Sequence, residues 1–162
     1  MSSTSVSPTS FKFDIASLLV PVTAEKPCGE YLLYEGTYDR IQEARREDDA
    51  NLDRGVWKQA MKRADWPAVE AACIQALEEY TKDLQIAAWL LEAWIRLHGF
   101  AGARVGFELL AALVSQYWKD LYPLPDGDDY SARTSTIEWS NARMPLRLLE
   151  VPVTKPTEID GR

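Results

Sequence analysis

The chain is poor in the residues that usually announce chemistry. It has two cysteines, Cys28 and Cys73, and one histidine, His98. The cysteines lie far apart, neither has a metal ligand beside it, and no nucleophile elbow occurs, so zinc sites and catalytic triads lack their raw material. No apolar signal segment precedes the cysteines, and reduced thiols in the cytoplasm are therefore expected. Apolar runs reach only six residues, as at 86–91, far short of the roughly 20 that a bilayer crossing requires. No direct membrane insertion is expected. Basic residues are also in deficit: 18 Lys and Arg stand against 25 Asp and Glu, for a net charge of −7. Such a chain repels a phosphate backbone, which argues against nucleic acid as a partner. Segments with strand periodicity and internal repeats are missing as well.

What remains is ample for one domain. The 162 residues are 46% hydrophobic and include six tryptophans, and at this size a single core buries roughly 70% of the surface of the unfolded chain. Residues 1–10 are too poor in apolar groups to order and read as a disordered lead. An apolar turn at 15–20 ends at Pro21, and Pro27-Cys28-Gly29 predicts an ordered loop. Tyr38, Ile41 and Ala44 mark a modest amphipathic helix over 34–46, and the charge-dense 47–54 reads as a solvated loop. Asp65 is placed to cap a helix with Pro67 in its first turn, running to about Tyr80.

The strongest signal is 83–98. Gln85, Glu92 and Arg96 fall in a stripe about 40° wide, and almost every other position is apolar. A helix that is greasy on nearly all sides belongs at the centre of a bundle. Gly99 is expected to stop it as an αL cap. A further helix is predicted over 103–121, with Phe107, Leu109, Leu110, Leu113, Val114 and Tyr117 on its apolar arc. A loop follows over 123–130, and then a helix over 132–150 that Pro145 should break or kink near Arg143 or Met144. Residues 154–162 read as a linker or truncated tail. The expected fold is an all-α, compact multi-helix bundle, its ordered domain spanning 11–153, wound around the central helix.

Candidate sites need weighing against plainer roles. Asp126, Asp128 and Asp129 suggest a calcium loop, but counting from Asp126 puts Tyr130 fifth, Ser131 sixth where glycine is required, and Ile137 twelfth. A solvated acidic turn that caps the next helix is expected instead. Gly99, Gly102 and Gly106 follow no strand and precede no Lys-Ser/Thr pair, so they read as the cap, turn and close contact of a helical hairpin rather than a phosphate cradle. His98 is expected to meet the last helix carbonyls. No catalytic, cofactor-binding or metal-binding residue is assigned. The segment Tyr117-Trp118-Lys119-Asp120-Leu121-Tyr122-Pro123 is richer: its rings either form a rigid aromatic and proline knob for a partner protein or cover the core beneath the loop to Tyr130.

Taken in order, Pro21-Val22, Pro27-Cys28-Gly29, Asp65-Trp66, Thr81-Lys82-Asp83-Leu84, Ala88-Trp89-Leu90 with Glu92-Ala93, Leu97-His98-Gly99 with Gly102, and Tyr117-Trp118 through Leu121-Tyr122-Pro123 make a pattern. Across about 18–153 this succession resembles the ImpA-type N-terminal domain of TssA proteins of the bacterial type VI secretion system. The resemblance implies an all-helical, non-enzymatic domain of a cytoplasmic assembly factor, needing no cofactor, whose partners are protein components of the baseplate, sheath or inner tube of the contractile tail. Full-length members carry further C-terminal regions that form ring-shaped oligomers, so an excised domain or a short relative is expected here. The family's Trp-x-x-Leu-His/Tyr-Pro motif maps onto Trp118, Leu121, Tyr122 and Pro123. These four, with Arg133 fixing register after the acidic loop, are the expected partner-binding residues. A self-associating dimerisation domain is the alternative.

Overall fold

The computed structural model of the chain describes residues 13–48 and 61–153. The expected lead at 1–10, most of the charged loop at 47–54 and the tail at 154–162 lie outside these residues. The described part is all-α: among these residues no strand forms, only isolated bridges. Five helices follow in order: α1 (Ala16–Leu19), α2 (Thr37–Arg45), α3 (Trp66–Gln75), α4 (Leu84–Tyr117) and α5 (Ser131–Leu149). A 3₁₀ turn, Leu32–Tyr34, precedes α2, and a π turn, Ala76–Tyr80, extends α3.

Local chemistry sets the starts. The Asp65 carboxylate accepts the Ala68 N–H at 3.0 Å with Pro67 in the first turn of α3, where a missing N–H does no harm. Asp83 caps α4 by accepting from Gln85 N at 2.8 Å and Ile86 N at 3.2 Å.

The helix α4 is the centre of the bundle, as the pattern at 83–98 predicts. Leu84, Ile86, Ala87, Ala88, Leu90, Leu91, Ala93, Trp94 and Ile95 are all buried, packed by α3 on one side and α5 on the other. Its 34 residues are long and apolar enough to cross a bilayer by composition, but they do not form one rod. At Gly99 the backbone adopts φ 59° and ψ −136°, and the chain doubles back into two antiparallel arms. Gly102 then lies against the carbonyl of Trp94 and Gly106 against Leu91, while Leu84 N donates to Tyr122 O at 2.8 Å at the far end. The helical-hairpin reading of the three glycines thus holds. The turn is tighter than expected: the second arm resumes directly after Gly99 and ends at Tyr117 instead of spanning 103–121.

Two further expectations change. Phe107, placed on the buried arc by periodicity, is 45% exposed, because the core takes the Leu109, Leu113 and Tyr117 side of that arm. Pro145 does not break the helix, since α5 runs through it. The residue four positions earlier, Asn141, is exposed, so water can donate to the carbonyl that the proline leaves unbonded.

A knot of backbone hydrogen bonds ties the loops to the hairpin. Glu30 N donates to Tyr80 O at 2.8 Å, Lys82 N to Cys28 O at 2.8 Å, and Tyr122 N to Lys82 O at 3.0 Å. Gly29, at φ +63°, has no room for a side chain, because a Cβ would sit 2.0 Å from Tyr80 O.

The arm contact gives a direct test. A Cβ on Gly102 would lie 2.0 Å from the Trp94 carbonyl oxygen, an overlap that only backbone movement relieves. Gly102→Ala is expected to destabilise the domain by about 3 kcal/mol, read as a lowered urea midpoint.

Candidate contact surface

The region that the sequence singles out, 117–133, divides into a buried support and an exposed aromatic face. Leu121 is fully buried, Tyr122 is 7% exposed and Pro123 is buried behind a cis peptide bond. The Tyr122 hydroxyl donates to Gly29 O at 3.0 Å, and its ring stacks on Tyr31 with centroids 5.2 Å apart. These three residues are buried and make their contacts inside the domain. The same holds for Arg133. It is 1% exposed, and its guanidinium donates to the carbonyls of Pro123 at 2.8 Å, Trp118 at 2.6 Å and Leu121. One buried cation thereby gathers the carbonyls of a whole turn and clamps it to α5.

Of the five residues expected at a partner contact, only Trp118 offers its ring to solvent, at 41% exposure. It lies parallel to Tyr130, with centroids 5.7 Å apart and 5° between planes, and the Arg133 guanidinium sits 4.7 Å from the Trp118 ring centre. Stacking and cation–π attraction hold the indole in place. Tyr130 and Leu124, both exposed, extend the face. Asp126 and Asp129 pair through their backbones, and the Asp129 carboxylate accepts Ser131 N at 2.8 Å at the start of α5, in line with an acidic turn that caps the helix.

The remaining singled-out residues have internal roles. His98 reaches α3, its Nε2 3.2 Å from Glu70 Oε1, and the same carboxylate accepts from Trp94 Nε1 at 2.8 Å. Both cysteines are free and buried. Burial pushes the Cys28 thiol up to about 11 and the Cys73 thiol still higher, which leaves almost no thiolate at neutral pH. Lys82, fully buried, is driven down to about 8 by the same loss of solvent, and its ammonium donates to Leu77 O of the π turn.

The residue that the sequence reading missed is Glu92. Its carboxylate is fully buried, yet it meets three arginines: Arg45 on α2 at 2.6 Å, and Arg147 at 2.9 Å and Arg143 at 3.3 Å on α5. Arg45 is held between two tryptophans, 5.3 Å from the Trp89 ring centre and 5.1 Å from that of Trp139. A glutamate in the narrow polar stripe of an otherwise apolar helix was the available signal, but its three partners are 47, 51 and 55 residues away.

The fold and this face define an all-α domain that presents a rigid aromatic edge on a charge-locked helical hairpin. The profile of the family described as ImpA, N-terminal, type VI secretion system matches residues 19–142, and the chain belongs to that family, a structural component of the type VI secretion system not known as an enzyme. It is 34% identical to the type VI secretion system component TssA1 of Pseudomonas aeruginosa, over 72% of this chain and 33% of that protein. Among solved structures it is similar to the N-terminal domain, including the conserved ImpA_N region, of the TssA component of the type VI secretion system from Burkholderia cenocepacia. That match has a TM-score of 0.78 at 32% identity and covers 94% of this chain and 57% of the other. The chain thus spans about a third of the length of its curated relative.

The Glu92 cluster makes a pH prediction. Burial alone would raise this carboxyl, but Arg45 and Arg147 outweigh it and hold it below its ordinary 4.5. A depressed acid stabilises the fold above its unfolded value, and that contribution is lost as pH falls through the folded one. Glu92→Gln should therefore lose stability at neutral pH, on the order of 3 kcal/mol. As pH falls through the depressed folded value of Glu92, below its ordinary 4.5, the variant's unfolding midpoint should converge on that of the wild type, as followed by circular dichroism across an acid titration.

Proposed function

We propose that this domain is a non-enzymatic docking module of the secretion apparatus, helping to assemble the contractile tail through contacts with baseplate, sheath or inner-tube proteins on the cytoplasmic side. One observation carries the reading: Trp118 and Tyr130 form a stacked, exposed pair on a support that is otherwise wholly buried. A ring fixed before binding loses little conformational freedom when a partner covers it, and such aromatic groups dominate the energetics of protein interfaces. In this reading Leu121, Tyr122, Pro123 and Arg133 act as positioning residues. They set the height and angle of the indole, and the resemblance of their motif to the family pattern is consistent with a shared support. The acidic surroundings favour encounter with basic partner surfaces.

The test separates anchor from scaffold. Trp118→Ala should leave the helical circular dichroism intact and shift the melting temperature by only a few degrees, while abolishing capture of separately purified tail components and sheath assembly in cells. Tyr122→Ala, which removes a ring from the core, should lower the melting temperature as well. A Trp118→Ala protein that still captures its partners and still supports sheath assembly overturns the proposal.

A further inference from the structure

Where the π turn meets the N-terminal loops, the bundle leaves a groove that it does not fill. Its walls are set by backbone: Val22 N donates to Pro27 O at 2.9 Å, closing the loop at 22–27, and Glu30 N donates to Tyr80 O at 2.8 Å. Gly29 lets those segments meet, since it has no side chain to hold them apart. The groove measures about 410 Å³, with Val22 and Leu32 as its apolar lining and Glu30, Glu35, Glu79 and Tyr80 around them. Leu32 is buried, Val22 half-buried, and the three glutamates are exposed, so an apolar floor lies within a negative rim. Charge in this lining is one-sided. Among the described residues its single cation is Lys26, which is taken by Glu30 at 2.6 Å. Glu35 makes no ion pair among the described residues. Glu79 meets neutral partners, Gln75 at 3.2 Å and the Tyr80 hydroxyl. Arg40 of α2 acts on Tyr80 through space and pairs with neither carboxylate.

We propose that this groove is a docking site for an arginine side chain carried on a segment of a partner protein. An apolar floor inside a negative rim fits a group with an aliphatic stem and a cationic head. An acidic side chain would be repelled by Glu35 and Glu79, and a purely apolar one would strip water from both carboxylates without replacing it. Tyr80 chooses between the two cations. Its ring is 48% exposed, and a planar guanidinium stacks on an aromatic face while gripping a carboxylate with two donors; an ammonium is a point charge that holds its water. The groove also exists before anything binds. Backbone hydrogen bonds fix its walls, so little conformational freedom is lost when it is occupied. The π turn, Ala76–Tyr80, supplies both Glu79 and Tyr80, and such turns recur at functional sites. This groove shares no residue with the Trp118 face, so the two contacts stand or fall separately.

An NMR titration of the full chain with a capped pentapeptide, bearing one arginine among glycines and serines, tests this. Saturable shifts are expected at Val22, Gly29, Glu35 and Tyr80. The double variant Glu35→Gln with Glu79→Gln should weaken binding on the order of 10-fold, and Glu138→Gln, at an exposed acid of α5, should leave it unchanged. All three positions are exposed, so these variants should keep the circular dichroism spectrum and melting temperature of the wild type. The same peptide with lysine in place of arginine should bind more weakly, and Tyr80→Ala should erase that difference. The proposal is overturned by an absence of saturable binding, or by shifts scattered over every acidic surface. Binding indifferent to the double variant, or equal for lysine and arginine, overturns it too.

Discussion

A single buried carboxylate dictates how this bundle closes. Glu92 lies on the innermost arm of α4 with no solvent contact, where an isolated negative charge would cost several kcal/mol. The fold meets that demand by bringing Arg45 from one side and Arg143 and Arg147 from the other. The arrangement constrains more than charge. Arg45 reaches its partner only by passing between Trp89 and Trp139, which locks α2 and α5 to the same stretch of α4. Apolar packing alone would allow α5 to slide along its neighbour; a point charge with three directed donors does not. Arg147 also pairs with Glu150, which Arg96 of α4 reaches in turn at 2.5 Å, so the lock continues to the end of α5.

From that constraint follows the position of the exposed aromatic pair. The start of α5 is held by Arg133 beneath the turn at 118–123, and its latter half by the arginines around Glu92. Between them, Thr136 donates to Gln85 at 3.2 Å. The aromatic pair therefore bridges the end of α4, at Trp118, and the start of a helix fixed at both ends, at Tyr130. Rigidity here comes from two buried charges of opposite sign, each satisfied differently: the glutamate by ion pairs, the Arg133 cation by backbone carbonyls.

Much of this was legible in the sequence, and the rest was not, for identifiable reasons. Signals confined to one helical turn were read well. Asp65 with Pro67 marked the start of α3, the apolar character of 83–98 on nearly all sides marked the centre, and Gly99 marked the reversal. Signals that depend on which side of a helix meets the core were read less well. Phe107 and Leu109 look equivalent by composition, and only the tertiary placement of the arm buries one and exposes the other. Pro145 misled because a local rule about missing N–H groups ignores what lies around the freed carbonyl. Glu92 and Arg133 were the hardest. Periodicity does not disclose that a charged residue will be buried when its partners come from another third of the chain, as for Glu92, or are backbone carbonyls of the preceding turn, as for Arg133. The aromatic segment was seen as one unit, yet neighbouring residues in it have opposite fates: Trp118 faces solvent and Tyr122 faces Gly29.

The hydroxyls of Tyr117 and Tyr122 reach back to Leu19 at 2.6 Å and Gly29 at 3.0 Å, bridging 98 and 93 residues of chain. Contacts of such sequence separation close long loops, and they form late because loop entropy must be overcome first. During synthesis the N-terminal segment must therefore wait, unsealed, until the end of the hairpin has emerged from the ribosome. The interval before those tyrosines arrive is when the nascent polypeptide most needs shelter from its neighbours.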